Sequence, residues 1–170
     1  DVMFVYANQT VSGGTFSIAG TNATDQRYTL MSDTAGAQRT FTLTGTTTRT
    51  LTNTDFADIK LTYSSSVTGT SIANLGNNSG ITFTTPVTRY AVLGASSKAF
   101  TSTTAWSASS GGATGASVPL PHDTIILDAS SGSGTLTGFL HGADITLTGF
   151  TGNINGSPLI YGSITGGDST

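Results

Sequence analysis

Short apolar centres recur along the chain, mostly 8–12 residues apart. They fall at Phe4 and Val5, Phe16 and Ile18, Tyr28 and Leu30, Phe41 and Leu43, Leu51, Ile59 and Leu61, then Ile72, Ile81 and Phe83, Tyr90 and Val92. After a break they resume at Ile125 to Leu127, Leu136, Ile145 and Leu147, Leu159 and Ile160. Gly, Asn, Asp or Ser stands between them, and within each centre apolar and polar positions alternate, as in "TFTLT" and "ITFTT". Period-two centres bounded by turn residues are the pattern of many short strands. Strands are predicted near residues 2–6, 15–19, 27–31, 39–44, 48–53, 58–62, 81–84, 88–93, 124–128, 134–138, 144–148 and 159–164. No stretch has the period of an amphipathic helix.

The break runs from Gly94 to His122 and holds the single tryptophan, Trp106, followed by "SASSGGATGASVPLPHD". Pro119 and Pro121 exclude a central strand there. The expected organisation is therefore an N-terminal β segment over 1–93, a loop or linker over 94–123, and a C-terminal β segment over 124–170. Trp106 is expected to plug against the next strand, with stacking on a sugar as the alternative.

One phrase repeats. Thr-Leu-Thr-Gly-Phe stands at Thr135–Phe139 and again at Thr146–Phe150, and its first four residues also occur at Thr42–Gly45. In a parallel solenoid each copy is a strand and a corner. Leu136 and Leu147 would point inward, at equivalent stack positions or on adjacent faces. The threonines would point outward, Gly138 and Gly149 would turn the corners, and Phe139 and Phe150 would pack behind them. An antiparallel β-sandwich uses the same short strands, and periodicity does not separate the two.

Composition supports the all-β class. Threonine supplies one residue in five, charged residues are 9%, and all nine acids are aspartates. Thr is β-branched and suits a pleated, half-buried surface. The net charge of −3 and the lack of a basic patch argue against nucleic acid. No cysteine is present, which excludes disulfides and thiolate metal sites. No apolar run approaches the roughly 18 residues of a membrane span, so no membrane insertion is expected. A chain that begins at Asp1 and ends in "SITGGDST" reads as a processed chain or a piece that continues further.

Two stretches carry a resemblance. In the first, Tyr90, Gly94, Trp106-Ser107, Ser110-Gly111-Gly112, Val118-Pro119, Asp123 and Asp128 to Gly132 follow one another in order. In the second, Ser32 to Gly36 form a Ser-x-x-Ala-Gly turn, and Asn77 to Phe83 form an Asn-Asn-Ser-Gly strand entry. Over about residues 27–165 the chain resembles β-helical modules of virion appendage proteins, tail fibres and tail spikes, of marine tailed phages. The resemblance implies a right-handed parallel β-helix. It implies a structural component of a virion, involved in host attachment and assembled as a homo-oligomer, typically a trimer. Other virion proteins and a host surface glycan would be its partners. The alternatives are a polysaccharide-degrading tail spike and a secreted bacterial adhesin or surface-fibre subunit.

The candidate chemistry is sparse. Glycoside hydrolysis needs two carboxylates across a sugar, and the available groups are Asp123, Asp128 and Asp144, with His122 or His141. His122 and Asp123 adjoin, but neighbours on a strand point to opposite faces, and Asp123 is expected to cap a turn. Asp25, Asp55 and Asp58 are oxygen donors for calcium without a calcium-loop spacing. Asn8, Asn22 and Asn77 fit the glycosylation acceptor pattern, as chance allows in so Thr-rich a chain. The reading is a non-enzymatic protein with no catalytic residues, cofactor or metal.

Overall fold

The computed structural model describes residues 1–45, 48–160 and 162–166, without the side chains of Pro158 and Leu159. The chain is all-β. Its described residues form twenty-one short strands and two 3-10 turns, at Thr103–Ala105 and Ala129–Ser131. Contacts divide it into two compact units, Asp1–Thr85 and Pro86–Thr170. The division falls before the expected boundary at 93, because the strand at Thr88–Ala91 pairs only with later strands.

In the first unit, β1 (Val2–Val5), β4 (Tyr28–Ser32), β7 (Thr54–Ala57) and β10 (Ala73–Asn74) form one parallel sheet in that order. A second parallel sheet joins β2 (Gln9–Ser12), β5 (Arg39–Thr44) and β8 (Ile59–Thr62). Two parallel pairs complete the unit. These are β3 (Thr15–Ala19) with β6 (Thr48–Thr52), and β9 (Val67–Thr68) with β11 (Ile81–Thr82). Inward side chains stack in register. Leu30 lies over Phe56, and Leu43 and Leu61 are buried beside them. Each such fully buried side chain is worth about 1.5–3 kcal/mol.

The corners of this unit explain why its strands are so close in sequence. Asn53 separates β6 from β7, and Asp58 separates β7 from β8. Both have positive φ, 50° and 57°, a conformation that Asn and Asp reach more easily than other side chains. Asn53 Nδ2 donates to Gly20 O (3.1 Å), and Asp58 accepts from Gly36 N (3.0 Å) and Asn77 Nδ2 (2.6 Å). One residue that is neither Gly nor Pro thus turns each corner, and β7 fills the gap between the strands expected at 48–53 and 58–62.

In the second unit, β12 (Thr88–Ala91), β15 (Thr124–Ile126), β18 (Asp144–Leu147) and β21 (Ile164–Gly166) form a parallel series. A second parallel sheet runs β13 (Ser97–Ala99), β16 (Thr135–Thr137), β19 (Asn153–Asn155). A third pairs β17 (Leu140–Gly142) with β20 (Pro158–Ile160). The expected strand over 159–164 is two strands, and its Tyr161 lies outside the described residues. β14 (Trp106–Ser107) lies antiparallel on the outer side of β12. Among the described residues this is the one strand pair that is not parallel. An antiparallel sandwich does not have that topology.

The stretch 94–123 is therefore not a linker. It carries β13, a 3-10 turn and β14, and it is part of the second unit. Its Gly, Ser and Pro composition reads as loop, but Phe100, Ala105 and Trp106 are fully buried. Trp106 Nε1 donates to Phe100 O (2.7 Å), and the two rings meet edge to face at 5.2 Å. The tryptophan is the plug of this unit.

The repeated phrase lies on adjacent faces. Thr135–Thr137 form β16, whereas Thr146 and Leu147 end β18. The register partner of Leu136 is Ile154, so "TLTG" is stacked against "NING". Gly138 and Gly149 take positive φ, 101° and 70°, which glycine adopts without strain. At Gly156 a Cβ would meet Gly138 O at 1.7 Å, so the stack requires glycine there as well. Phe150 packs on the core, but Phe139 is half exposed and does not fill the expected place behind its corner.

Candidate functional site

Of the histidine and aspartate candidates of the second unit, His141 lies against Phe100, which packs on Trp106, and His122 adjoins Asp123 in the turn before β15. Residues 121–123 form a turn leading into β15 rather than a strand. The opposite-face expectation therefore fails, and His122 Nε2 stands 3.8 Å from Asp123 Oδ1. Asp123 is used as a turn cap. Its Oδ1 accepts from Val87 N (2.8 Å) and its Oδ2 from Leu120 N (2.7 Å). His141 Nε2 lies 2.9 Å from Pro119 O, which makes Nε2 the protonated nitrogen, and its ring meets Phe100 edge to face at 4.8 Å. His122, Asp123 and His141 are all buried, at 8%, 1% and 4% exposure. His141 fastens the 94–123 segment to β17, and Asp123 fastens it to Val87 at the entry to β12.

The other two carboxylates are apart from this cluster in role. Asp128 caps the Ala129–Ser131 turn, accepting from Ser130 N (2.9 Å), while Ser131 Oγ accepts from Asp128 N (3.0 Å). Asp144 is exposed and accepts from Ser163 N and Ser163 Oγ, both at 2.8 Å. The Ser163 backbone N–H first, and its hydroxyl second, hold the Asp144 carboxyl below the ordinary aspartate value of 3.8. Asp123 thus has both oxygens bonded to main-chain N–H groups, while Asp128 and Asp144 each accept through Oδ1 from one main-chain N–H and one serine hydroxyl.

The calcium candidates are not brought together. Asp25 is exposed in a loop organised by Asn22, whose Oδ1 accepts from the N–H groups of Thr24, Asp25 and Gln26. Asp58 sits at its corner. Asp55 is buried against Arg27, whose Nε donates to both carboxylate oxygens (3.1 and 3.0 Å) and whose Nη2 contacts Oδ1. Arg27 also donates to Ala23 O (3.0 Å) and Ser71 O (2.8 Å), so it ties a loop and a corner to β7. No group of three His, Cys, Asp or Glu side chains suited to a metal is found among the described residues. The acceptor asparagines serve the frame as well. Asn8 Oδ1 accepts from Thr40 N (2.9 Å), and Asn77 binds Asp58.

The surface feature that sequence reasoning left unassigned is the outer side of β1. Among the described residues no strand pairs with that side, and β1 ends the order of its sheet. Val2, Met3, Phe4 and Tyr6 are 57%, 50%, 49% and 74% exposed. Two mainly apolar grooves flank them. One of about 530 Å³ is lined by Met3, Ile18 and Tyr28, and one of about 340 Å³ by Met3, Phe4, Tyr6 and Phe41. From Val2 to Thr24 the chain has no charged residue, histidine or proline. Edge strands are commonly protected by such residues. Their absence beside "VMFVY" is the sequence signal for this surface.

No protein-family model matches the chain, and no curated protein or solved structure shows significant similarity to it.

Proposed function

We propose that the chain is a non-enzymatic structural segment of a phage virion appendage, a tail fibre or related part serving host attachment, built as a right-handed parallel β-solenoid. The observation that carries this reading is the pairing step. Asp55 pairs with Ala73, 18 residues on, and Lys60 bridges to Ser79, 19 on. In the second unit Thr124 pairs with Asp144, 20 on, Leu136 with Ile154, 18 on, and Ile145 with Ile164, 19 on. A recurring step of 18–20 residues at these pairs, in parallel register on several faces, suits a chain winding in stacked coils, with longer steps, as from Val2 to Thr29 (27) and Thr15 to Thr48 (33), where loops lengthen a coil. Parallel crossovers are overwhelmingly right-handed.

The resemblance to virion modules gains a physical content from the same geometry. Tyr90, Trp106-Ser107, Val118-Pro119, Asp123 and Asp128 to Gly132 build the plug, the strand over β12 and the turns that fasten them. They form a structural device at the start of a stack. The committed carboxylates favour a load-bearing role over glycoside hydrolysis, and the uncharged Thr, Ser and Asn faces suit contact with a host surface glycan. The proposed setting is the virion, with self-association and other virion proteins as protein contacts.

Mass spectrometry and immunogold labelling of purified source particles test the proposal. Peptides of this chain are expected in phage particles, on an appendage. Recovery from a cell-surface filament free of phage proteins would replace this reading with the adhesin one. Incubation with host surface polysaccharide is expected to leave polymer length unchanged, and shortening with time would make the chain a depolymerase.

A further inference from the structure

We propose that the outward face of β3, β6, β9 and β11 is an ice-binding surface, whose ligand is the ordered lattice of frozen water. Register builds the face. Thr15, Ser17 and Ala19 pair with Thr48, Thr50 and Thr52. Thr52 bridges to Thr70, whose N–H donates to Leu51 O (2.9 Å) and whose O accepts from Asn53 N–H (3.0 Å). Two residues earlier the same register sets Thr68 beside Thr50, and Thr68 pairs with Thr82. One row of hydroxyls, Ser17, Thr50, Thr68 and Thr82, therefore crosses all four strands. Ala19, Thr52 and Thr70 form the row on one side of it, and Thr15 and Thr48 form the row on the other. The intervening Phe16, Leu51 and Val67 are buried, so the alternation of a strand turns the rows outward. Thr52 is half-buried, and the other members of the rows are exposed.

Three observations select ice. First, the array is periodic in two directions. Neighbouring strands lie about 4.8 Å apart and alternate residues of one strand about 6.6 Å apart, and oxygen atoms on the prism faces of ice repeat at distances close to these two. Threonine holds few rotamers at χ1, so hydroxyl and methyl keep fixed places, and many weak contacts to one solid act together. Second, the hydroxyls are not spent within the chain. Among the described residues no hydrogen bond engages the hydroxyls of Thr15, Ser17, Thr50, Thr68, Thr70 or Thr82. On the face of β2, β5 and β8, by contrast, Thr44 Oγ1 donates to Ser12 Oγ (3.3 Å) and Lys60 interrupts the row beside Thr40. Third, the rows are uncharged. Arg49, the one charged residue of the four strands, lies over the Tyr63 ring at 4.2 Å. A free sugar chain matches the rows less well, because they hold no aromatic ring to stack on and no amide or carboxylate. A coil stacked before β3 would lengthen each row and leave its face open, so the site does not depend on where the chain begins. The proposal goes beyond the virion assignment and stands or falls separately from it.

Single ice crystals grown in solutions of the 170-residue chain test the proposal. The unaltered chain is expected to facet the crystal, to hold it from growing over a measurable interval below its melting point, and to enter the ice fraction. Thr50→Lys and Thr68→Lys, in the middle of the longest row, are each expected to abolish that interval while keeping the circular dichroism of the parent. Both side chains are exposed, so the lysines remove no packing, and the unaltered chain decides the matter even if a variant fails to fold. Thr10→Lys and Thr62→Lys, at exposed positions of β2 and β8, are expected to leave the interval whole. Retention of the chain on immobilised host surface polysaccharide is expected to be the same for the parent and for Thr50→Lys. Ice growth unchanged by the unaltered chain would overturn the proposal. So would equal loss in the β2 and β8 variants, activity kept in both row variants, or polysaccharide retention that depends on Thr50 and Thr68.

Discussion

The first strands of the two units meet the same problem and answer it differently. β1 and β12 each begin a parallel series, and each has a side that faces away from the next strand. On β12 that side is covered. Ala91 pairs with Trp106, Val92 N–H donates to Ala105 O (2.8 Å), and Trp106 closes the interior beneath. On β1 the side is bare and apolar, and Met3 is half exposed although its register partner Leu30 is fully buried. The difference teaches that the pairing step alone does not finish a stack. Sixteen additional residues finish one end of the second unit. The step from Thr88 to Thr124 is 36 residues, against 20 from Thr124 to Asp144. Among the described residues no such segment covers β1.

The largest expected effect comes from removing the plug. Trp106→Ala should cost about 3–5 kcal/mol and raise hydrogen exchange throughout β12, β15 and β18, while β4 and β7 keep their protection. Equal loss in both units would dissolve the contrast. In the first unit, Asp55→Ala leaves Arg27 buried without its carboxylate and should also cost about 3–5 kcal/mol, seen in denaturant melts. Replacing both, as Arg27→Met with Asp55→Leu, should recover most of that loss, because the penalty lies in the unpaired charge. Asp123→Asn keeps the shape of the cap but exchanges one accepting oxygen for an amide. The loss of one backbone bond should cost about 1–3 kcal/mol, with the 119–123 turn exchanging fastest.

The smallest effect concerns pH. Ser163 holds the Asp144 carboxyl below 3.8 in the folded chain. The ionised form is thus favoured by folding, and its contribution is present above that value and fades as pH falls through the lowered one. Asp144→Asn should remove this small contribution at neutral pH, leave stability at the lowest pH unchanged, and so flatten the decline below about pH 4. Because Asp144 is exposed, a steep change at neutral pH would contradict the assignment.

Much of the fold was legible. Alternation located the inward residues Leu30, Leu43, Leu136 and Ile145, and glycine located the corners at Gly138 and Gly149. What was not legible has physical causes. The strands Val67–Thr68, Ala73–Asn74 and Trp106–Ser107 have two residues each, too few for a period to show. Corners at Asn53 and Asp58 carry no glycine or proline. The segment 94–123 is ordered by buried rings and by histidine and aspartate contacts across the fold, which local composition does not encode. The five-residue phrase repeated eleven residues apart left stack positions and adjacent faces both open, because each face uses the same Thr-Leu-Thr grammar, while the stack partners of its first copy are Leu over Ile and Thr over Asn. At the candidate site, Asp123 was legible as a turn cap. Its approach to His122 was not, because the strand expected near residue 124 obscured the turn before it.

The most direct test is residue-resolved hydrogen exchange of Val2 and Phe4 beside Tyr90 and Val92, at several protein concentrations. The outward amides of β1 in this 170-residue chain are predicted to exchange rapidly, because no strand covers them among the described residues. Those of β12 are predicted to stay protected at every concentration, being covered within the chain. If Val2 and Phe4 are protected at infinite dilution, or Tyr90 and Val92 exchange as fast as they do, the contrast between a finished and an unfinished edge is wrong.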